Sequence, residues 1–122
     1  MIYLASPYMH SDPAVRQERF EVACRAAAEL IRQGKTVFSP IAHSHAICQL
    51  GLPLDWAFWE RHDMEFLQRC DEIVVLKLDG WKESVGVQAE IGAARRLEKP
   101  VTFLDVHLRL SGTNEKHQRK EW

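Results

Sequence analysis

Residues 2–40 read IYLASPYMHSDPAVRQERFEVACRAAAELIRQGKTVFSP, and this stretch decides the fold. Ile2 to Ala5 is a short apolar run closed by Ser6-Pro7, the pattern of a buried strand that a proline ends. A loop follows, and Asp12-Pro13 then opens a helix, with Asp12 as N-cap and Pro13 at the first helical position. Phe20, Ala23, Cys24, Ala27, Leu30 and Ile31 recur at three- and four-residue spacing, which marks one apolar face. Gly34 is the expected stop. Lys35 to Ser39 is a second short strand, ended by Pro40. A strand, a helix and a strand joined by short links predict a right-handed βαβ unit and a parallel sheet.

The rest of the chain continues this alternation. Ile41 to Gly51 carries His43 and His45 on one or two expected turns of helix. Pro53 starts the next expected helix, which runs to about Arg69. Ile73-Val74-Val75-Leu76 is an apolar, β-branched run of the kind found in central strands. A turn-rich loop, 78–83, leads to a helix from Ser84 to about Glu98. Pro100 precedes a fourth strand, Val101 to Leu104, and Asp105 to Leu110 is a candidate fifth. Ser111 to Asn114 reads as a turn. Residues 1–110 are expected to form one domain and 111–122 a polar C-terminal tail.

Composition narrows the class. The 122 residues suit a single core, and a formal net charge of -1 gives no field that recruits a nucleic acid polymer. No apolar run of about 18 residues occurs, so no membrane partner is expected. The first residues lack the basic flank and apolar core of a signal peptide. Three cysteines with no C-x-x-C pair read as reduced, buried thiols in a cytoplasmic protein.

Two residues break the binary pattern. On a helical wheel Asp63 falls among Trp56, Trp59, Phe66, Leu67 and Cys70, and Glu90 shares a face with Val87, Ala93, Ala94 and Leu97. A carboxylate on an apolar stripe is either paired or faces a ligand. A pairing of Asp63 with Arg61, His62 or Arg69 is one reading, and a ligand cavity is the favoured one. In a parallel sheet the loops after the strands gather on one edge, where open α/β sheets bind ligands. Ser6, Pro7, Tyr8 and Ser84 fall there. Ser84 and Gly86 stand at a helix N-terminus, suited to a phosphate or a sugar hydroxyl. No Walker A loop, G-x-G-x-x-G or G-x-S-x-G is present, so no nucleotide cofactor or serine elbow is expected. His43 and His45 have no cysteine or carboxylate at a metal-ligand spacing, and no metal is expected. For His43 a place beside the ligand and a purely structural role both stay open. Two carboxylates and aromatics fit glycosidic bond cleavage, with a satisfied ion-pair network as the competing reading.

Tyr3-Leu4-Ala5-Ser6-Pro7, Asp63 eight residues before Asp71 and its strand, and Ser84-x-Gly86-x-x-x-Glu90-x-Gly92-x-Ala94 together resemble the nucleoside 2-deoxyribosyltransferase family and its relatives, the deoxynucleoside 5′-monophosphate N-glycosidases. The resemblance spans about residues 1–105. It implies a flavodoxin-like α/β fold, a three-layer sandwich with a parallel sheet of four to five strands. It implies Glu90 as nucleophile, Asp63 as the residue that handles the base as acid or hydrogen-bond partner, Tyr3 as a tyrosine that hydrogen-bonds near the nucleophile, and Ser84 as a phosphate contact. It implies a nucleoside or nucleotide as partner, no cofactor, and a homo-oligomer, dimer or tetramer. The expected catalytic set is Glu90, Asp63 and Tyr3. The expected substrate-binding set is Ser6, Pro7, Tyr8, His43, Trp59, Ser84 and Gly86. The expected activity is cleavage or transfer at an N-glycosidic bond. A non-catalytic nucleotide-binding module of the same fold is the alternative.

Overall fold

In the computed structural model, which describes residues 1–107 and 110–112, side chains on the strands alternate between two faces with a period of two. Tyr3 and Ala5 of β1 (Ile2–Ala5) point to one face, Ile2 and Leu4 to the other, and all four are buried. That double burial is what a central strand requires. β1 pairs in parallel with β2 (Val37–Phe38) on one side and β3 (Glu72–Leu76) on the other. β3 pairs in parallel with β4 (Val101–Leu104), and β5 (Leu110–Gly112) closes the edge antiparallel to β4. The strand order is β2-β1-β3-β4-β5. This is the flavodoxin-like order, with helices on both faces of the sheet.

Each face has its own core. Helix α1 (Pro13–Arg32) places Ala26 and Leu30 on Ile2, Leu4, Val74, Leu76 and Leu104. On the other face, Leu67 of α3 (Trp56–Arg69) and Val87, Ile91, Ala93 and Ala94 of α4 (Val85–Arg96) pack on Tyr3, Ala5, Ile73, Val75 and Val101. The alanines of α4 let it approach the sheet closely. Helix α2 (Pro40–Cys48) packs against α1 and β1.

Several boundaries differ from the sequence expectations. Helix α2 is longer than one or two turns because Ser39 caps it, its Oγ accepting from the Ala42 N–H at 3.1 Å. This also shortens β2, which loses Ser39 to the cap. Helix α3 starts at Trp56, not at Pro53, since Asp55 O takes the first N–H groups, and Pro53 O accepts from Trp59 Nε1 at 2.8 Å. Helix α4 ends at Arg96, with Glu98 in the left-handed region at φ 58°. Leu97 caps that helix and is 46% exposed, so it leaves the apolar face assigned to it, and Ile31 on α1 is 55% exposed. The fifth strand is displaced: Asp105 Oδ1 accepts from the His107 N–H in a turn, and the strand forms at Leu110–Gly112 instead. Ser111 and Gly112, expected as turn residues, pair with Phe103 and Thr102. Among the cysteines Cys48 and Cys70 are buried and Cys24 is half-buried, all three free. No helix among the described residues is long and apolar enough to cross a membrane. The expected polar tail lies outside the described residues from 113 onward.

Candidate functional site

Sheet order places the site. Loops after β1 and β3 lie side by side, and α4, which follows the loop after β3, packs against α3 and β3. Ser84 caps α4, its Oγ accepting from the Val87 N–H at 3.2 Å. One and a half turns later Glu90 faces inward and is 4% exposed. Tyr3, with no exposed surface, rises from β1 beneath it, and the Tyr3 hydroxyl donates to Glu90 Oε2. Asp63 comes from α3 and is 7% exposed.

Asp63, Glu90, Ser6, Tyr8, Trp59, Ser84 and Gly86 line one cavity. Its far wall is α2, through Pro40, Ile41, Ser44, His45 and Cys48, and Met9, Leu54, Trp56 and Val87 complete it. Trp56 lies against Gly86: a Cβ at Gly86 would stand 3.1 Å from Trp56 Cε3, so the ring can approach α4 this closely only over a glycine. Ser6 is buried, and its Oγ finds no hydrogen-bond partner among the described residues. A buried hydroxyl on a cavity wall with no protein partner is available to a ligand.

Three expected site residues stand elsewhere. Tyr3 lies behind Glu90, not on the cavity surface, and Pro7 is buried outside the lining. His43 is exposed and outside the lining; it belongs to a cluster of rings with Phe38, His62 and Phe66. Two positions along α2, His45 turns to the opposite side and reaches the cavity instead. His45 shares hydrogen bonds with the Tyr8 hydroxyl at 2.8 Å and Gln17 at 3.0 Å, and stacks on Phe20 at 4.2 Å. The sequence held the signal for this wall: 41, 44, 45 and 48 follow the i, i+3, i+4, i+7 spacing of one helix face.

The favoured reading of Asp63 and its competitor meet in the structure. Asp63 lines the cavity, and its Oδ1 also accepts from His62 Nδ1 at 3.1 Å. A second contact lies beside Met9, which lines the cavity. Arg19 on α1 donates to Met9 O at 3.0 Å and Asp79 O at 3.2 Å, tying the loop after β1 to the loop after β3.

Burial dominates the electrostatics. It pushes the Glu90 carboxyl up to about 8; the Tyr3 hydrogen bond pulls it down and the Asp63 charge pushes it further up. Asp63 is likewise raised by burial, while the His62 hydrogen bond and the charges of His62 and His43 pull it down. Burial, and after it the Glu90 charge, hold the Tyr3 phenol well above its ordinary value, so it stays a donor. Two carboxyls on one cavity, the charge of Asp63 opposing the ionisation of Glu90, suit unequal roles, one as carboxylate and one as acid. No group of three or more His, Cys, Asp or Glu among the described residues is placed to hold a metal ion.

The model of a family described as a domain of unknown function (DUF1937) matches residues 1–106. No curated protein matches the chain. Among solved structures, a 2-deoxyribosyltransferase from the psychrotolerant bacterium Bacillus psychrosaccharolyticus is 27% identical and superposes with a TM-score of 0.58, over 85% of this chain and 71% of that one.

Proposed function

We propose a glycosyl-transfer role for this chain, which belongs to the DUF1937 family. Its likeness to a 2-deoxyribosyltransferase suggests that class of reaction. The finer reading is cleavage or transfer at the N-glycosidic bond of a (deoxy)nucleoside or nucleoside 5′-monophosphate, with Glu90 as nucleophile. The observation that carries it is the buried Tyr3–Glu90 hydrogen bond at the floor of the cavity that Asp63 also lines.

In the first step a Glu90 carboxylate oxygen bonds to C1′ as the C1′–N bond breaks, and protonated Asp63 gives its proton to the departing base. In the second step water or another base attacks C1′, its proton passes to Asp63, and Glu90 leaves as carboxylate. Tyr3 stabilises the anionic Glu90 that both steps need. The flat wall of Trp56 and Trp59 suits a base, and Ser6, Ser84 and the α4 N-terminus suit the sugar or its phosphate.

The test is base release from the natural 2′-deoxynucleosides and their 5′-monophosphates. The wild type should release base from at least one, and Glu90→Ala should lose at least about 100-fold in kcat. Release at an unchanged rate in Glu90→Ala would rule out Glu90 as nucleophile.

One observation favours a second reading. With its carboxyl pushed up to about 8, Glu90 is mostly protonated at neutral pH, and a protonated carboxyl is no nucleophile. A ligand-binding module without turnover would tolerate this. It predicts thermal stabilisation by a nucleotide with no base released.

A further inference from the structure

His62 is a half-exposed side chain that the two-step scheme leaves without a task. Its Nδ1 lies 3.1 Å from Asp63 Oδ1, and its ring is held from three sides. Trp59 meets it edge-on at 5.2 Å, Phe66 lies at 5.2 Å, and His43 of α2 stacks on it at 5.8 Å. A surface ion pair of this type would ordinarily contribute little. This one differs because Asp63 is buried, so the His62 N–H is its one hydrogen-bond donor among the contacts described.

We propose that His62 is a positioning residue for Asp63: its Nδ1–H occupies Oδ1, turns the second oxygen toward the cavity, and stabilises the carboxylate that forms when the base takes the proton. This rests on the glycosidic reading of the site. It requires the neutral or charged imidazole to carry its proton on Nδ1, which leaves Nε2 toward solvent or the ring cluster. The other groups that act on Asp63 oppose the same ionisation or favour it only weakly. Glu90 on α4 carries like charge until it is glycosylated and is neutral afterwards, and Tyr3 on β1 and Cys48 on α2 are neutral. His43 helps only through its charge, with no hydrogen bond to Asp63. Without His62 the ionised Asp63 would stand buried beside a glycosylated Glu90 with no donor. The loss should therefore fall on the step in which the base departs, and should grow as the leaving group becomes more basic.

Two variants separate this role from packing. His62→Phe keeps a ring among Trp59, Phe66 and His43 but has no N–H. His62→Gln restores a donor without the ring. Base release is measured on the 2′-deoxynucleosides and on 4-nitrophenyl 2-deoxyriboside, whose leaving group departs without a proton. His62→Phe should lose roughly 10- to 100-fold in kcat on the nucleosides, with KM little changed. It should lose much less on the nitrophenyl substrate, and His62→Gln should recover part of the loss. In parallel, the Asp63 carboxyl is titrated by carbon NMR, which needs no turnover. In His62→Phe it should titrate at higher pH than in the wild type.

Equal losses on both substrates, or an unmoved Asp63 titration, would overturn the proposal. A wild type that releases no base would refute the glycosidic reading. The Asp63 titration would then still decide whether His62 sets that carboxyl's proton.

Discussion

The Tyr3 hydroxyl donates to Oε2 of Glu90, joining an inner strand of the sheet to a helical residue 87 positions later in the chain. Neither group is exposed enough for water to replace the other. The phenol cannot ionise easily in this setting, so it is a fixed donor, and the carboxyl is the member of the pair whose charge can change.

Tyr3→Phe removes that donor and leaves the ring. Glu90 then has no hydrogen bond favouring its anion, and its carboxyl should rise further. The expected result is a loss of roughly 10- to 100-fold in kcat, with the remaining activity moved to higher pH. A pH–rate profile that keeps its position in Tyr3→Phe would show that the hydroxyl does not act on Glu90.

Stability should fall as pH rises. Glu90 has its carboxyl at about 8 in the folded protein against an ordinary value of 4.5, so the native state holds a proton that the unfolded chain releases. The stability tied to that proton is fully present below about pH 4.5, declines above it, and is lost by about pH 8. Asp63, also raised, acts in the same direction. Glu90→Gln carries no such proton. Its melting temperature should depend less on pH across this window and exceed that of the wild type near pH 8 to 9. Parallel melting curves for the two proteins would contradict the buried, proton-holding Glu90.

Gly86→Ala separates the cavity from the fold. Alanine favours a helix over glycine by about 1 kcal/mol, and the added Cβ would press on Trp56 at 3.1 Å. The two effects oppose each other, so stability should change by less than about 1 kcal/mol. The Trp56 wall must shift, and KM should rise several-fold with kcat less affected. Thermal unfolding and steady-state kinetics check both halves; an unchanged KM would remove Trp56 from the binding wall.

The sequence made the sheet legible because its strands are bounded by strong punctuation. Pro7 and Pro40 follow the first two strands, and Asp12-Pro13 caps α1 as expected, with Asp12 Oδ1 accepting from the Ala14 N–H. Asp63 and Glu90 stood out because each is a charge on an apolar helical stripe, and both are buried on one cavity. The antiparallel β5 was not legible, since a three-residue edge strand has too few side chains to show a period. The choice between His43 and His45 depended on the rotation of α2, which the helical spacing of 41, 44, 45 and 48 carries once the helix is known to run from Pro40 to Cys48. His62 was legible only as a partner for Asp63: Trp59 and Phe66 flank it on its own helix, but His43, which stacks on it at 5.8 Å, arrives from α2 through tertiary packing.

The central claim is that Glu90 becomes covalently glycosylated during turnover. The most direct measurement is intact-mass and peptide mass spectrometry of the wild type, acid-quenched while it turns over a 2′-deoxynucleoside from the panel. The account predicts a mass increase of one deoxyribosyl unit, carried by the peptide that contains Glu90 and absent in Glu90→Ala. A deoxyribosyl unit on another residue, or undiminished base release by Glu90→Ala, would contradict it.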